Sequence, residues 1–594
     1  MIYESISRIL FAASLLAAAC GTAAAQSGEV TVSSSPATLV GTVSIRDLSS
    51  RPQVAQPARP RVEMPRHRLP DGSPISRPGE SPLESLPIIP HNVEVAPSAG
   101  SVNGFGGIPS EAPVIAVKGF VGIHSEDQVT ANGFELEPPD QGLAVNNNVA
   151  AEINNNVLRF FNAATGAPLT GPISLGSLFG TNYLTDTQAF YDPSTGRWFF
   201  TVADFSSPPH FFLDVAVSTT SDPLGTYYIY KVNAFSADVR KCSRLGILAD
   251  CFADYPKAGY DANGLYISVN LFGFGGFGRA ATYALPKSQL EAGASFTFVR
   301  IVYPGDFVVQ PSVPAPGEPF ETAANGTEYL MEARYKVDRS HNVRVWAISN
   351  TNNIVSKPSS LRAFAVDVPG ENYGLVVPAT EPDVIGPFCK IVGAFATPFL
   401  DGVFNAFQAT VQKAGGKLYG ALPFGSMDGN GLLRDSVAWF ALKPSVDSAG
   451  HPSASIFRQG YVVPPNGYSL LNPAFGLDKS GAGFLGLSIT NTSKTVPGGF
   501  PSAGVIQFTG IGTTGRIIVS GQGITSDDGF TGCDAGPLVA VGRWGDYGAA
   551  TVDAATGFFY TANENISGAR TFATNWGTFI TQIKTSFPVV SARP

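Results

Sequence analysis

Short apolar runs, broken by an acidic or amide residue and then a glycine, recur along the chain, and residues 191–200, YDPSTGRWFF, show the pattern most fully. Asp192 is placed to accept backbone N–H bonds inside a turn, Pro193 presets φ at about −65°, and Gly196 supplies the left-handed residue that closes a hairpin. In the outgoing strand Trp198 and Phe200 fall on one face and Phe199 on the other, as expected of a strand covered on both sides. Similar units read DQGLAVNNNVAAEINNN from Asp140, DTQAFYDPSTGRWFFTVADF from Asp186, DYPKAGYDANGLYISVNLF from Asp254 and DYGAATVDAATGFFYTANEN from Asp546. Fainter copies begin near Gln310, Asn405 and Asn472. Each copy is expected to turn through its own pair, Asp261 with Gly264, Asp478 with Gly483, and Asp553 with Gly557.

Seven such units of roughly 68 residues, all of strand chemistry, predict an all-β fold, a β-propeller of seven four-stranded blades. The long interval from Gln310 to Asn405 leaves six or eight blades open. The strand PVIAVKGFVGI at residues 113–123 has no unit of its own and is expected to close the ring on the last blade, removing the unpaired edges.

Composition adjusts this picture at the ends. Residues 1–25 run from an Arg-bearing start through an apolar segment to Ala23, Ala24 and Ala25, as a secretory leader cleaved before Gln26 does. A lipid-modified Cys20 is the rival, although Ala17 stands where a larger aliphatic residue belongs. Residues 26–112 are dense in proline and are expected to be an extended, disordered tether whose basic residues are solvated. The propeller domain is then 113–594, a secreted periplasmic or extracellular module with no later apolar run long enough to span a bilayer. A net charge of −8 over 594 residues gives no basic field for nucleic acid. With the leader removed, Cys242, Cys251, Cys389 and Cys533 remain, an even number that predicts two disulfides, Cys242 with Cys251 and Cys389 with Cys533 favoured among three pairings. Oligomeric state has no signature here.

If the first two strands of each unit form a hairpin, the start of one lies beside the end of the other. That places Asp140 near Asn154 and Asn155, Asp186 near Asp204, Asp254 near Asn270, Gln310 near Arg334, and Asp546 near Asn563 and Glu564. One mouth of the channel then collects Asp140, Asp186, Asp204, Asp254, Lys257, Asn270, Arg334, Arg543, Asp546 and Glu564, with Trp544, Tyr547, His210 and the stretch FGFGGFGR beside them. Such a rim suits a polar ligand, a glycan or a protein; the competing role for each Asp and Asn is to cap strand ends. Two facing acids such as Asp186 and Asp204 are also what glycoside hydrolysis requires. No GxSxG, HExxH, Walker A or strand-following GxGxxG is present. No cofactor is implied. The acidic loops SMDGNGLLRD and TSDDGFTGCD are the places where Ca²⁺ comes into question, but neither has EF-hand spacing, and solvated turns account for both.

The combination of YDPSTGRWFF, VSTTSDPLGTYYIY, DYPKAGYDANGLYISVN and RWGDYGAATVD with NWGTFI resembles secreted bacterial β-propeller proteins, distantly similar to sialidase-like propellers. The likeness covers residues 114–585 and implies a fold more than an activity. The sialidase SxDxGxTW box is missing, and Arg279, Arg334 and Arg543 do not match its arginine trio. Two functions follow as expectations: a non-catalytic extracellular binding module, or a glycan-acting hydrolase or lyase using rim carboxylates.

Overall fold

The computed structural model describes residues 30–51, 62–63, 95–96, 114–207, 210–234, 252–273, 276–374, 376–383, 395–396, 399–402, 406–534, 542–569 and 574–585. The expected leader lies outside these residues, as do Cys242, Cys251 and Cys389, so the expected disulfides are not described. No described helix is long and apolar enough to cross a membrane.

Seven antiparallel four-stranded units follow one another among the described residues. Sheet 1 comprises Gln141–Asn146, Val149–Asn154, Val157–Asn162 and Ile173–Ser174; sheet 2 comprises Leu184–Asp192, Arg197–Ser207, His210–Ser218 and Thr226–Asn233. Sheet 3 is Phe252–Tyr260, Gly264–Gly273, Gly276–Pro286 and Phe296–Pro304, and sheet 4 is Gln310–Pro314, Thr327–Ala333, Asn342–Ser349 and Arg362–Pro369. Sheet 5 is Val411–Ala414, Lys417–Met427, Leu433–Val446 and Pro452–Val462, joined to sheet 4 by parallel pairing of their first strands. Sheet 6 is Tyr468–Leu477, Gly483–Asn491, Ser502–Phe508 and Thr513–Gly521. Sheet 7 takes three strands from the C-terminal end, Ala549–Val552, Phe559–Asn565 and Gly577–Thr585, and its fourth, Val114–His124, from before sheet 1.

The first strand of each sheet touches the first strand of the next, and that of sheet 7 touches that of sheet 1, so the first strands line a closed channel. An apolar layer fills each junction. Trp198 and Phe200 pack toward sheet 1 with Phe160 and Leu158, whereas Phe199 packs toward sheet 3 with Tyr260 and Tyr283, the division of faces expected from the sequence. The ring closes through Leu143, Val145 and Phe161 of sheet 1 against Tyr560, Ala562 and Ile580 of sheet 7. The structure is a β-propeller.

The recurrent turn behaves as scaffold. Asp192 Oδ1 accepts from the Ser194 backbone N–H at 2.8 Å, and the Gly196 N–H, at φ 68°, returns to the Asp192 carbonyl at 2.8 Å. Gly557 takes the same conformation at φ 72°. In the sixth unit the left-handed residue is Gly481 (φ 88°), not Gly483, which already belongs to the outgoing strand. These turns also tie neighbours together: Asp553 accepts from the backbone N–H groups of Asn147 and Asn148, and Glu318 accepts from those of Gly415 and Gly416.

The expected tether is not unstructured at its start. Thr31–Ala37 and Leu39–Ser44, placed in the disordered tether, are strands that pair with the outer strands of sheets 3 and 2. The cause is the β-branched run ahead of the proline-rich stretch, which finds open edges to pair with.

Closure carries a buried charge. Glu152, on the second strand of sheet 1, accepts from the Ile123 N–H at 2.7 Å and holds the closing strand against the ring. Burial pushes its carboxyl up to about 7 from an ordinary 4.5. A carboxyl raised in the folded state favours the protonated fold, so stability falls as pH rises from about 4.5 to about 7 and levels off above, a loss of roughly 3 kcal/mol. Glu152→Gln is expected to lessen the fall in urea midpoints measured from pH 4.5 to 8 by about that amount; an unchanged fall would show that Glu152 does not contribute to it.

Candidate functional site

At one end of the channel the first strands leave β geometry together. Asp186 (φ 55°), Tyr255 (φ 57°), Val308 (φ 53°) and Asn472 (φ 50°) all adopt left-handed conformations, and three of them fall where the register to the second strand slips. Positive φ is costly for Tyr and Val and persists only where surroundings impose it. Three of the four are bonded to an adjoining unit: the Asp186 N–H donates to Asn155 Oδ1 at 2.9 Å, the Val308 N–H donates to Asn270 Oδ1 at 2.9 Å, and Asn472 Nδ2 donates to the Gly545 carbonyl at 3.1 Å. Bulges re-aim side chains, and the result is a cluster on the axis.

Carboxylate oxygens of Asp140, Asp186 and Asp546, from three different units, lie within 4.8 Å of one another. Asp140 is fixed by the Asp546 N–H at 2.6 Å and by Asn155 Nδ2 at 3.1 Å. Asp186 shares a side-chain hydrogen bond with Asp254. Arg543 Nη2 stands 3.4 Å from Asp546 Oδ1. Beneath them Lys257 Nζ lies 2.8 Å from the centre of the Tyr547 ring and 4.0 Å from that of Tyr255, with no hydrogen-bond partner. The two rings meet edge to face at 5.6 Å, and their hydroxyls donate to the carbonyls of Asp546 and Thr187. Asp140, Asp186, Lys257, Tyr255 and Tyr547 are buried and form a floor, while Asp254, Asp546 and Arg543 are half-buried and form a lip.

Burial dominates the ionisation here. Removal from water raises Asp140 and Asp186 well above the ordinary carboxylate range, and nearby acids add to it: Asp546 and Asp186 for the first, Asp254 and Asp546 for the second. Desolvation and Asp546 hold Asp254 at about 7. The same desolvation drives Lys257 well below the usual amine range, outweighing the attraction of Asp186 and Asp140.

Of the residues expected at the mouth, Asp140, Asp186, Asp254, Lys257, Arg543 and Asp546 come together. Glu564 lies beside them: an atom in place of the Gly545 α-hydrogen would meet its Oε1 at 1.7 Å. The other expected residues serve the framework. Asp204 is sealed inside sheet 2, its Oδ2 2.5 Å from Lys231 Nζ, which also reaches Asp214 at 3.3 Å. The Asp186 and Asp204 pair expected for hydrolysis is therefore not available, because alternation turns the two carboxyls to different environments. Asn270 supports the Val308 bulge. Arg334 is consumed by Asp306 (2.6 Å), Glu332 (2.9 Å) and Asp338 (3.0 Å). Asp428, in the first acidic loop, accepts from the N–H groups of Asn430, Leu432 and Gly467, as a turn residue does. In the second loop the N–H groups of Phe530 and Thr531 donate to Glu137, and that of Asp527 donates to Glu381.

Sequence reasoning placed Tyr547 at this end of the channel but missed Glu137, Glu381 and Tyr255. For Tyr255 a signal existed: units three and seven both open with Asp-Tyr, at Asp254 and Asp546. Glu137 and Glu381 stand in connecting segments with no repeat to mark them.

No protein-family model matches the chain, and no curated protein matches it. Among solved structures, the N-terminal domain of Nup159 aligns at 9% identity over 83% of this chain and 99% of that chain, with a TM-score of 0.31. A Cellvibrio cellulosa alpha-L-arabinanase complexed with arabinohexaose aligns at 9% identity over 64% and 94%, with a TM-score of 0.27. A subtype N10 neuraminidase-like protein of A/little yellow-shouldered bat/Guatemala aligns at 7% over 64% and 94%, with a TM-score of 0.29. Overlap this loose adds no argument about chemistry.

The division between framework and floor has a measurable consequence. Lys231→Met strands the buried Asp204 and Asp214 without their cation and is expected to cost about 3–5 kcal/mol at pH 8. The loss shrinks toward pH 4, because burial and Asp204 already raise the Asp214 carboxyl. Urea unfolding at the two pH values checks this; an equal loss at both would show the charges to be irrelevant.

Proposed function

We propose that this protein is an extracellular β-propeller binding module that takes a polar ligand, a glycan or a protein, at the channel mouth formed by Asp254, Arg543 and Asp546 above the buried floor. The observation that carries this reading is the spacing of the acids. Asp140, Asp186 and Asp546 approach within 4.8 Å, and Asp186 bonds Asp254 directly. Carboxyls that straddle a glycosidic bond stand about 5–5.5 Å apart in retaining enzymes and about 6.5–9.5 Å apart in inverting ones. Acids that share one point and are themselves buried, as Asp140 and Asp186 are, do not flank a sugar linkage open to substrate, which favours recognition over cleavage.

A half-buried carboxyl beside a guanidinium, with aromatic rings below, offers a polar ligand both a donor and acceptors in a partly desolvated setting, where such bonds discriminate well. Expected on a glycan array is capture of a restricted set of polar glycans, with no reducing ends released in a parallel assay. Asp254→Asn and Arg543→Gln should each weaken capture roughly tenfold while leaving the melting temperature nearly unchanged. Release of reducing ends would instead support the hydrolase reading, and absence of capture across the array would move the ligand to the protein class.

A further inference from the structure

We propose that Asp140, Asp186 and Asp546 bind one divalent cation of the Ca²⁺ type at the channel, linking sheets 1, 2 and 7, with the buried carboxylate of Glu564 adding its charge from beside them. The three aspartates belong to three units that are remote in sequence, yet each turns one carboxylate oxygen to a common point, all within 4.8 Å. Their existing bonds leave oxygen acceptors unused: Asp140 accepts from the Asp546 N–H and from Asn155 Nδ2, and each of those oxygens retains a further lone pair.

Glu564 is the independent observation. It is fully buried on the second strand of sheet 7, neither carboxylate oxygen has a hydrogen-bond partner, and the charges acting on it include Asp140 and Asp546. It reaches this place because Gly545, immediately before Asp546, has no side chain; a Cβ there would lie 1.7 Å from Glu564 Oε1. A buried carboxyl without a donor is costly, and a cation answers that cost. Lys257 does not: its ammonium has no hydrogen-bond partner and rests on the Tyr547 ring. Arg543 touches Asp546 from the lip side.

The donor set selects the ion. Oxygen donors, with neither histidine nor cysteine among the four residues, favour hard cations over zinc or copper. Ca²⁺ binds oxygens at about 2.3–2.6 Å, so two donors on one ion can stand up to roughly 5 Å apart, whereas Mg²⁺ at about 2.0–2.1 Å requires a tighter set. The Ca²⁺ loops considered from the sequence are elsewhere; this site is assembled from bulged strand starts.

Tb³⁺, a Ca²⁺ substitute whose emission is excited through nearby tyrosines, provides the test, with Tyr255 and Tyr547 as antennae. On chelator-treated full-length protein, one Tb³⁺ per chain is expected, displaced by Ca²⁺ and far less readily by Mg²⁺, and Ca²⁺ should raise the melting temperature. Asp186→Asn and Glu564→Gln should each weaken Tb³⁺ binding at least tenfold, while Asp428→Asn, in the first acidic loop, should not change it. If Asp186→Asn fails to fold, Glu564→Gln decides. Absence of sensitised emission from folded protein, or emission that survives Glu564→Gln undiminished, would overturn the assignment. Because the probe is the metal alone, failure here leaves the ligand-binding reading standing.

Discussion

A ring of sheets built from one chain is held shut when its last sheet takes a strand from before its first. In this protein the pairing of Val114–His124 with Gly577–Thr585 meets that condition. Everything at the channel depends on it, because without closure the first strands of sheets 7 and 1 would not touch and Asp546 would not reach Asp140. The bond from the Asp546 N–H to Asp140 Oδ1 is the local sign of a global constraint, spanning 406 positions of sequence.

Closure also explains why the mouth is both buried and charged. Innermost strands in a propeller are crowded near the axis, and side chains at their starts would collide if every strand kept ideal pleating. The bulges at Asp186, Tyr255 and Asn472 relieve this by rotating residues out of register. Left-handed backbone at Asp186 and Val308 is held by amides from adjoining units, and Asn472 ties its own bulge to Gly545: Asn155, Asn270 and Asn472 serve as braces as much as rim decoration. Strain and charge are thus concentrated at the same end of the channel.

Much of the architecture was legible because it rests on short-range rules. Turn chemistry around Asp192 and Gly196, alternation at Trp198, Phe199 and Phe200, and the orphan strand before the first unit each make a local demand that the fold meets. The hairpin argument also placed Asp140, Asp186, Asp254 and Asp546 at one end, since strand direction alone decides that. What it did not decide was facing. Asp204 shares the rim with Asp186 but turns into sheet 2 toward Lys231, and Arg334 turns to Asp306; one residue of phase separates a ligand group from a framework ion pair. Residues 31–44 were misassigned for a different reason, because the neighbouring proline-rich stretch obscured a β-branched segment whose partners lie about 180–270 positions away.

The two ends of the channel show how one residue type serves two purposes. At the hairpin end Asp192 is met by the Ser194 N–H and hydroxyl, the Thr195 hydroxyl and Lys287 Nζ, and Asp553 by the N–H groups of Asn147, Asn148 and Ala555. Such carboxylates are fully engaged, and their negative charge is spent on backbone and lysine. At the bulged end the balance reverses: Asp140 has two donors, Glu564 has none, and Lys257 is held on aromatic rings away from hydrogen-bond reach. An acid supplied with donors from its own chain is part of the frame, whereas an acid buried without them has an interaction left to make. By that measure, and not by residue type or proximity to the axis, Glu564 is set apart from turn acids such as Asp192 and Asp553.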